Sequence, residues 1–110
     1  VVDYWQGVCA VTGCANNTLL IASHIKPWRV CTAAESIDRF NGLLLSPTLD
    51  AAFDAGLITF GDDGTIRVSR RFVEADLKAL RIDTNMRLKR LPSREQQVYL
   101  DYHRRNIFRA

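Results

Sequence analysis

One of the chain's two histidines, His24, stands where an apolar run gives way to basic and turn-forming residues, in "LLIASHIKPWR". A structural histidine usually sits inside an apolar pattern. One at the end of such a pattern lies at the lip of a site, and an imidazole exchanges protons near neutral pH. Asn41 follows at the head of a second apolar run, and Asp50 and Asp54 fall on the short helix expected directly after it. Carboxylates four residues apart project from one helix face and can grip one cation together. Two strands and a helix would thus present a base, an amide and paired carboxylates to one place.

The elements that must hold those groups can be traced from the punctuation of the chain. Val1 to Gln6 reads as a helix end stopped by Gly7. "VCAVTGC" alternates like a short strand, and Leu19 to Ala22, entered by the turn Asn16-Asn17-Thr18, reads as a second strand able to pair with it. Pro27 breaks regular structure, "TAAESIDRF" holds one helical turn, and Asn41-Gly42 turns into the buried strand "LLLS". Ser46 as N-cap, Pro47 in the first turn and Gly56 as C-terminal cap bound the helix "SPTLDAAFDAG". "LITF" and "TIRVS" flank a Gly/Asp turn and predict a hairpin. Helical spacing covers Phe72 to Leu80 and Ser93 to Phe108, the latter opened by a capping box of Ser93 with Gln96.

Composition limits what such a site serves. A chain of 110 residues suffices for one domain, residues 1–110, and its start at Val1 suggests a module of a longer protein. No apolar run approaches the roughly 20 residues of a membrane span, so a cytoplasmic location is the default expectation. Three cysteines, Cys9, Cys14 and Cys31, complete neither a disulfide framework nor a closed zinc site, and CxxC spacing is missing, so reduced thiols are expected. Residues 1–66 hold three Lys/Arg against seven Asp/Glu, whereas residues 67–110 hold twelve against five. That asymmetry fits a polyanion-binding face beside a metal- or proton-handling cluster, and equally a solvated helix face rich in arginine.

"CAVTGC", "ASHIKPW", "NGLLLSPTLDAAFDAGLI" and "YLDYHRRNIF" together span nearly the whole chain, and in them the sequence resembles the HNH endonucleases, in particular a branch of modules attached to restriction-type proteins. The family's first histidine falls on His24, its asparagine on Asn41 and its final histidine position on Asp50. The intervals from Asn41 to Asp50 and on to Asp54 resemble those of colicin-type members with two ligands on the helix. The resemblance implies a small α+β domain with a ββα-metal core, an additional β-hairpin and flanking C-terminal helices. It implies hydrolysis of DNA phosphodiester bonds, with His24 as general base and Asn41 orienting the imidazole through its side chain or the backbone of its turn.

Asp50 and Asp54 would hold a divalent cation, Mg²⁺ or Mn²⁺ ahead of Zn²⁺ because carboxylate oxygens favour hard ions. Two positions depart from the family's commoner pattern. Asp50 replaces the final histidine, and Ser23 stands where many relatives carry an Asp, Glu or His ligand, leaving its hydroxyl or a bridging water as the substitute. Lys26 and Arg29 fit phosphate contacts beside the scissile bond, and Arg70, Arg71, Arg104 and Arg105 fit either backbone contacts or plain surface charge. Trp28 suits packing under the loop or stacking on a base, and His103 reads as packing or surface. DNA is the expected partner, and cutting both strands with one site calls for a homodimer or two successive events. Two readings of other classes stand beside the enzyme: an HNH-like nucleic-acid-binding module that has lost hydrolysis, and a zinc-stapled interaction domain.

Overall fold

The heart of the structure, a computed structural model describing residues 1–110, is a two-stranded antiparallel sheet covered by one helix. Strand β1 (Ile21–His24) pairs with β2 (Gly42–Leu45) so that Ser23 opposes Leu43 and His24 opposes Gly42. All four residues of β2 are buried, as a continuous Gly-Leu-Leu-Leu run without polar alternation demands. Between the strands lies a single-turn helix α1 (Ala33–Ile37), closed at its start by a Thr32–Glu35 capping box. Helix α2 (Pro47–Asp54) follows β2 directly and buries Leu49, Ala52 and Phe53, leaving Asp50 and Asp54 off the core face.

The ends of α2 are set by identifiable residues. Ser46 takes the N-cap position with extended backbone, but its side chain makes no capping bond; Pro47 at the first turn has no N–H to satisfy. At the other end Leu57 N–H donates to the Ala52 carbonyl and Gly56 N–H to that of Phe53, the paired bonds of a Schellman stop. Gly56 has φ +74°, and a Cβ there would run into the Ile107 carbonyl, so glycine is required both for the turn and for the close approach of the C-terminal segment.

A second sheet, β3 (Ile58–Phe60) with β4 (Ile66–Val68), is the hairpin expected from the Gly/Asp turn, and Asp63 secures that turn by accepting from Thr65 N–H and Oγ. Helices α3 (Glu74–Ala79) and α4 (Arg94–Asn106) complete the α+β domain, and the Ser93–Gln96 capping box of α4 is formed. No helix is long and apolar enough to cross a membrane.

The N-terminal third differs from expectation. Val1 to Gln6 is a set of turns rather than a helix end, closed by two successive left-handed residues, Gln6 (φ 57°) and Gly7 (φ 69°). "VCAVTGC" is not a strand. Cys9 N–H donates to the Cys14 carbonyl across a tight loop, and Thr12 N–H donates to Cys9 Sγ. Ala10 instead bridges two neighbours, donating to Leu44 of β2 and accepting from Lys89 N–H. The strand expected from Leu19 starts at Ile21, because Asn16 accepts from Thr18 N–H and holds Asn17–Leu19 in a 3₁₀ turn. Its partner is β2, not the cysteine segment. Those two residues of shift bring Ser23 and His24 inside the ladder.

Candidate active site

His24 ends β1 half-buried, and its side chain has one hydrogen bond: Nε2 lies 2.9 Å from the Ser36 carbonyl. A carbonyl can only accept, so Nε2 carries the proton and Nδ1 is left with the free lone pair of the neutral ring. The tautomer is thus set by a residue of α1, to which no functional signal in the sequence pointed.

Asn41 does not touch the imidazole. It is fully buried, its Oδ1 accepts from Lys26 N–H at 2.8 Å, and its Nδ2 faces the Glu35 carbonyl at 3.1 Å, Cys31 Sγ at 3.3 Å and the Lys26 carbonyl at 3.4 Å. One amide therefore fastens both ends of the loop between β1 and α1. Its grip on Glu35 sits one residue before the carbonyl that holds His24. Of the two routes expected for orienting His24, the side chain does not reach the ring, whereas the backbone of the turn does approach the residue: the Asn41 carbonyl accepts from Ile25 N–H, next to His24, at 3.4 Å.

Asp50 and Asp54 line the same cleft as Ser23, His24, Trp28 and Arg29, a depression of about 360 Å³ floored in part by His103. Partial burial, and then the charge of Asp50, push the Asp54 carboxyl above its usual range, against opposing influences from Ser23, His24 and Arg29. Ser23 is buried with Oγ 3.5 Å from Asp54 Oδ1, so its hydroxyl faces that carboxylate. No three His, Cys, Asp or Glu side chains converge as a ready-made metal cage. The donor set is two mutually repelling carboxylates opening on a solvent cleft. That suits a hard cation of the Mg²⁺ type, which keeps several waters and takes only one or two carboxylates from the protein.

The six basic residues nominated for nucleic acid do not gather in one place. Arg29 lines the cleft. Lys26 turns away, its ammonium 2.9 Å from both Glu35 oxygens and 5.1 Å from the centre of the Tyr102 ring, and Glu35 raises its pKa. Arg104 donates to the Phe60 carbonyl and to Asp62, Arg105 pairs with Asp101, and Arg70 and Arg71 are exposed outside the cleft. All three cysteines are free thiols.

Residues 9–61 match a family profile described as HNH endonuclease. Over this segment the chain belongs to the HNH endonuclease family. The matched stretch runs from the cysteine loop through β1, β2 and α2 to the end of β3, so it contains His24, Asn41, Asp50 and Asp54. No curated protein matches the chain.

Helix α4, outside the matched HNH segment, secures α2 through His103. That residue is 1% exposed, stacks on Phe53 with ring centroids 3.8 Å apart, donates from Nε2 to the Phe53 carbonyl at 2.9 Å and has Nδ1 2.8 Å from Thr59 Oγ1. The Phe53 carbonyl belongs to the last turn of α2, where it also accepts from Gly56 N–H, and it immediately precedes Asp54. Of the two sequence options for His103, packing is the one found.

Burial lowers the His103 pKa from 6.5 to about 4. Above pH 6.5 both folded and unfolded chains carry it neutral. Between pH 6.5 and about 4 the unfolded chain takes up the proton and the folded one does not, so stability falls as pH falls. The loss from this residue should reach about 3 kcal/mol by pH 4. Urea unfolding of the wild type and His103→Gln across that range checks it: the variant's curve should be flatter by that amount, and parallel curves would show that His103 titrates normally.

Proposed function

We propose that the protein is a divalent-cation-dependent endonuclease that hydrolyses DNA phosphodiester bonds in the cleft between β1, the Pro27–Val30 turn and α2. The observation that carries the reading is the tautomer of His24: with Nε2–H committed to the Ser36 carbonyl, Nδ1 is a base with a free lone pair, in a cleft shared with two carboxylates. His24 Nδ1 takes a proton from the attacking water. Asp50 and Asp54 hold the cation, with Ser23 steadying Asp54 through its hydroxyl. When bound, that ion supplies Lewis-acid stabilisation of charge on the phosphate and the departing 3′ oxygen. Arg29 meets the phosphate from the cleft wall, whereas the cations outside the cleft, Arg70, Arg71 and Arg105 among them, act by long-range attraction of the polyanion. Lys26 and Arg104 reach phosphate only by leaving their present partners.

Nicking of supercoiled plasmid with Mg²⁺ or Mn²⁺, abolished by chelation, tests the activity. The binding-only alternative draws on Ser23, which faces Asp54 where relatives carry a ligand; it predicts retained DNA with no cleavage under any divalent ion. The carboxylate pair has a separate test that needs no turnover. Because the Asp54 pKa is raised in the fold, its contribution to stability is full below the unfolded value near 3.8 and is lost as pH rises through the folded one. Its ionised form therefore burdens the metal-free protein at neutral pH. Asp54→Asn should leave metal-free stability equal to wild type or higher by up to about 0.5 kcal/mol. It should also remove most of the rise in melting temperature that Mg²⁺ or Mn²⁺ gives the wild type. An equal cation-induced rise in both proteins would take Asp54 out of the metal site.

A further inference from the structure

The chain's two tryptophans are used in opposite ways. Trp5 is 4% exposed, donates from Nε1 to the Gly42 carbonyl at 3.0 Å, meets Tyr4 edge-on and lies under Arg90. Trp28 is 71% exposed, and its ring has no aromatic or cationic partner within the protein. Packing under the loop, one of the two uses its sequence position suggested, is not what it does.

Its backbone, by contrast, is tightly held. Pro27 precedes it with φ −56°, the 3₁₀ turn Trp28–Val30 closes through Val30 N–H to the Pro27 carbonyl, and Cys31 N–H returns to the Trp28 carbonyl. Asn41 fixes both the N–H and the carbonyl of Lys26 just upstream. The indole is therefore a free aromatic surface on a rigid stalk, and it lines the same cleft as His24, Asp50 and Arg29. The exposed Ile21 extends the apolar rim. A free ring on a preorganised support loses little entropy when a flat partner stacks on it.

We infer that Trp28 is a base-stacking platform beside the reacting phosphate, and that the cleft takes single-stranded or locally unstacked nucleic acid. The inference rests on the nucleic-acid reading of this cleft and adds the substrate form to it. In a matched duplex both faces of every internal base are covered by neighbouring bases, so an indole has nothing to stack on until a base is unstacked. In a single strand every base offers a face, and stacking on an aromatic is tolerant of sequence. Arg29, next in the chain and facing the same cleft, would grip the adjoining phosphate while the base lies on Trp28.

The test is a binding measurement under chelation, so that no strand is cut. Wild type, Trp28→Ala and Trp28→Phe are titrated with a single-stranded oligodeoxynucleotide, its matched duplex, and the same single strand made entirely of abasic residues. Wild type should bind the base-containing strand more tightly than the duplex, with quenching of tryptophan fluorescence that Trp28→Phe loses, since Trp5 is buried. Trp28→Ala should weaken binding of that strand roughly 5- to 150-fold. Trp28→Phe should fall between, and all three should bind the abasic strand alike. Equal affinities of wild type and Trp28→Ala for the base-containing strand, or an equal loss on the abasic strand, would overturn the inference. Cleavage is scored separately: a wild type that quenches and discriminates as described but never nicks DNA with Mg²⁺ or Mn²⁺ would refute the endonuclease reading and leave the stacking platform standing.

Discussion

His24→Ala should lower the rate of strand cleavage by about 10²- to 10⁴-fold, the range a positioned general base contributes. The loss should fall on turnover, because the imidazole's role is to accept a proton from water and not to hold DNA. Its side chain makes a single hydrogen bond, to the Ser36 carbonyl, at the half-buried C-terminal end of β1. Removing it costs the fold little, about 1 kcal/mol. Plasmid nicking with Mg²⁺ or Mn²⁺, run beside DNA-binding and urea-unfolding measurements on the same preparations, separates these effects. The informative pattern is a variant that is folded, binds DNA as wild type does and does not cut. Equal cleavage by both proteins would remove His24 from the chemistry, and equal absence of cleavage with DNA retained in both would favour a binding module.

Asn41→Ala should cost about 3–5 kcal/mol of stability. The side chain is fully buried and serves the Lys26 N–H and the Glu35 carbonyl at good distance. Truncation strands these groups, at about 1–3 kcal/mol for each one left buried, and adds the loss of packed atoms. Activity should fall beyond what the folded fraction explains. The carbonyl that fixes the His24 tautomer belongs to Ser36, one residue past the Glu35 carbonyl that Asn41 holds. Urea titrations give the first quantity, and cleavage per folded molecule at a temperature where the variant stays native gives the second. If the stability change is under about 1 kcal/mol, Asn41 is a turn residue and not the fastening of the loop. If stability falls but cleavage per folded molecule holds, the loop positions nothing that the reaction needs.

The two variants divide the histidine–asparagine pair into a residue that reacts and a residue that positions. That division bears on how the small sheet works. In a domain whose central ladder is only two strands of four residues, the strands alone cannot hold a long connecting loop in one place. The buried amide does so by taking on backbone groups from both ends of the loop, and the capping box at Thr32–Glu35 stiffens its far end. Glu35 also pairs with Lys26, so loop rigidity draws on a cation that its position beside His24 had marked for phosphate.

The local pattern of the sequence determined a good deal. Pro47 and Gly56 bounded α2, the Gly/Asp turn announced the β3–β4 hairpin, and Ser93 with Gln96 opened α4; each depends on neighbours within a few residues, which the chain itself supplies. The same holds for Asp50 and Asp54, since four residues along a helix fix their shared face. Tertiary structure decided what local pattern could not. Whether β1 pairs with the cysteine segment or with β2 depends on hydrogen bonds between distant backbones, and pairing with β2 sets Ser23 opposite Leu43 and His24 opposite Gly42. The partner of the imidazole is a backbone carbonyl, and every residue has one, so no residue type could mark Ser36. The buried state of His103 and the exposed state of Trp28 were likewise set by where α4 and the Pro27 turn come to rest. Residue types stated which chemical groups this protein has; only the packing of distant segments determined which of them are satisfied within the fold and which are left free for a ligand.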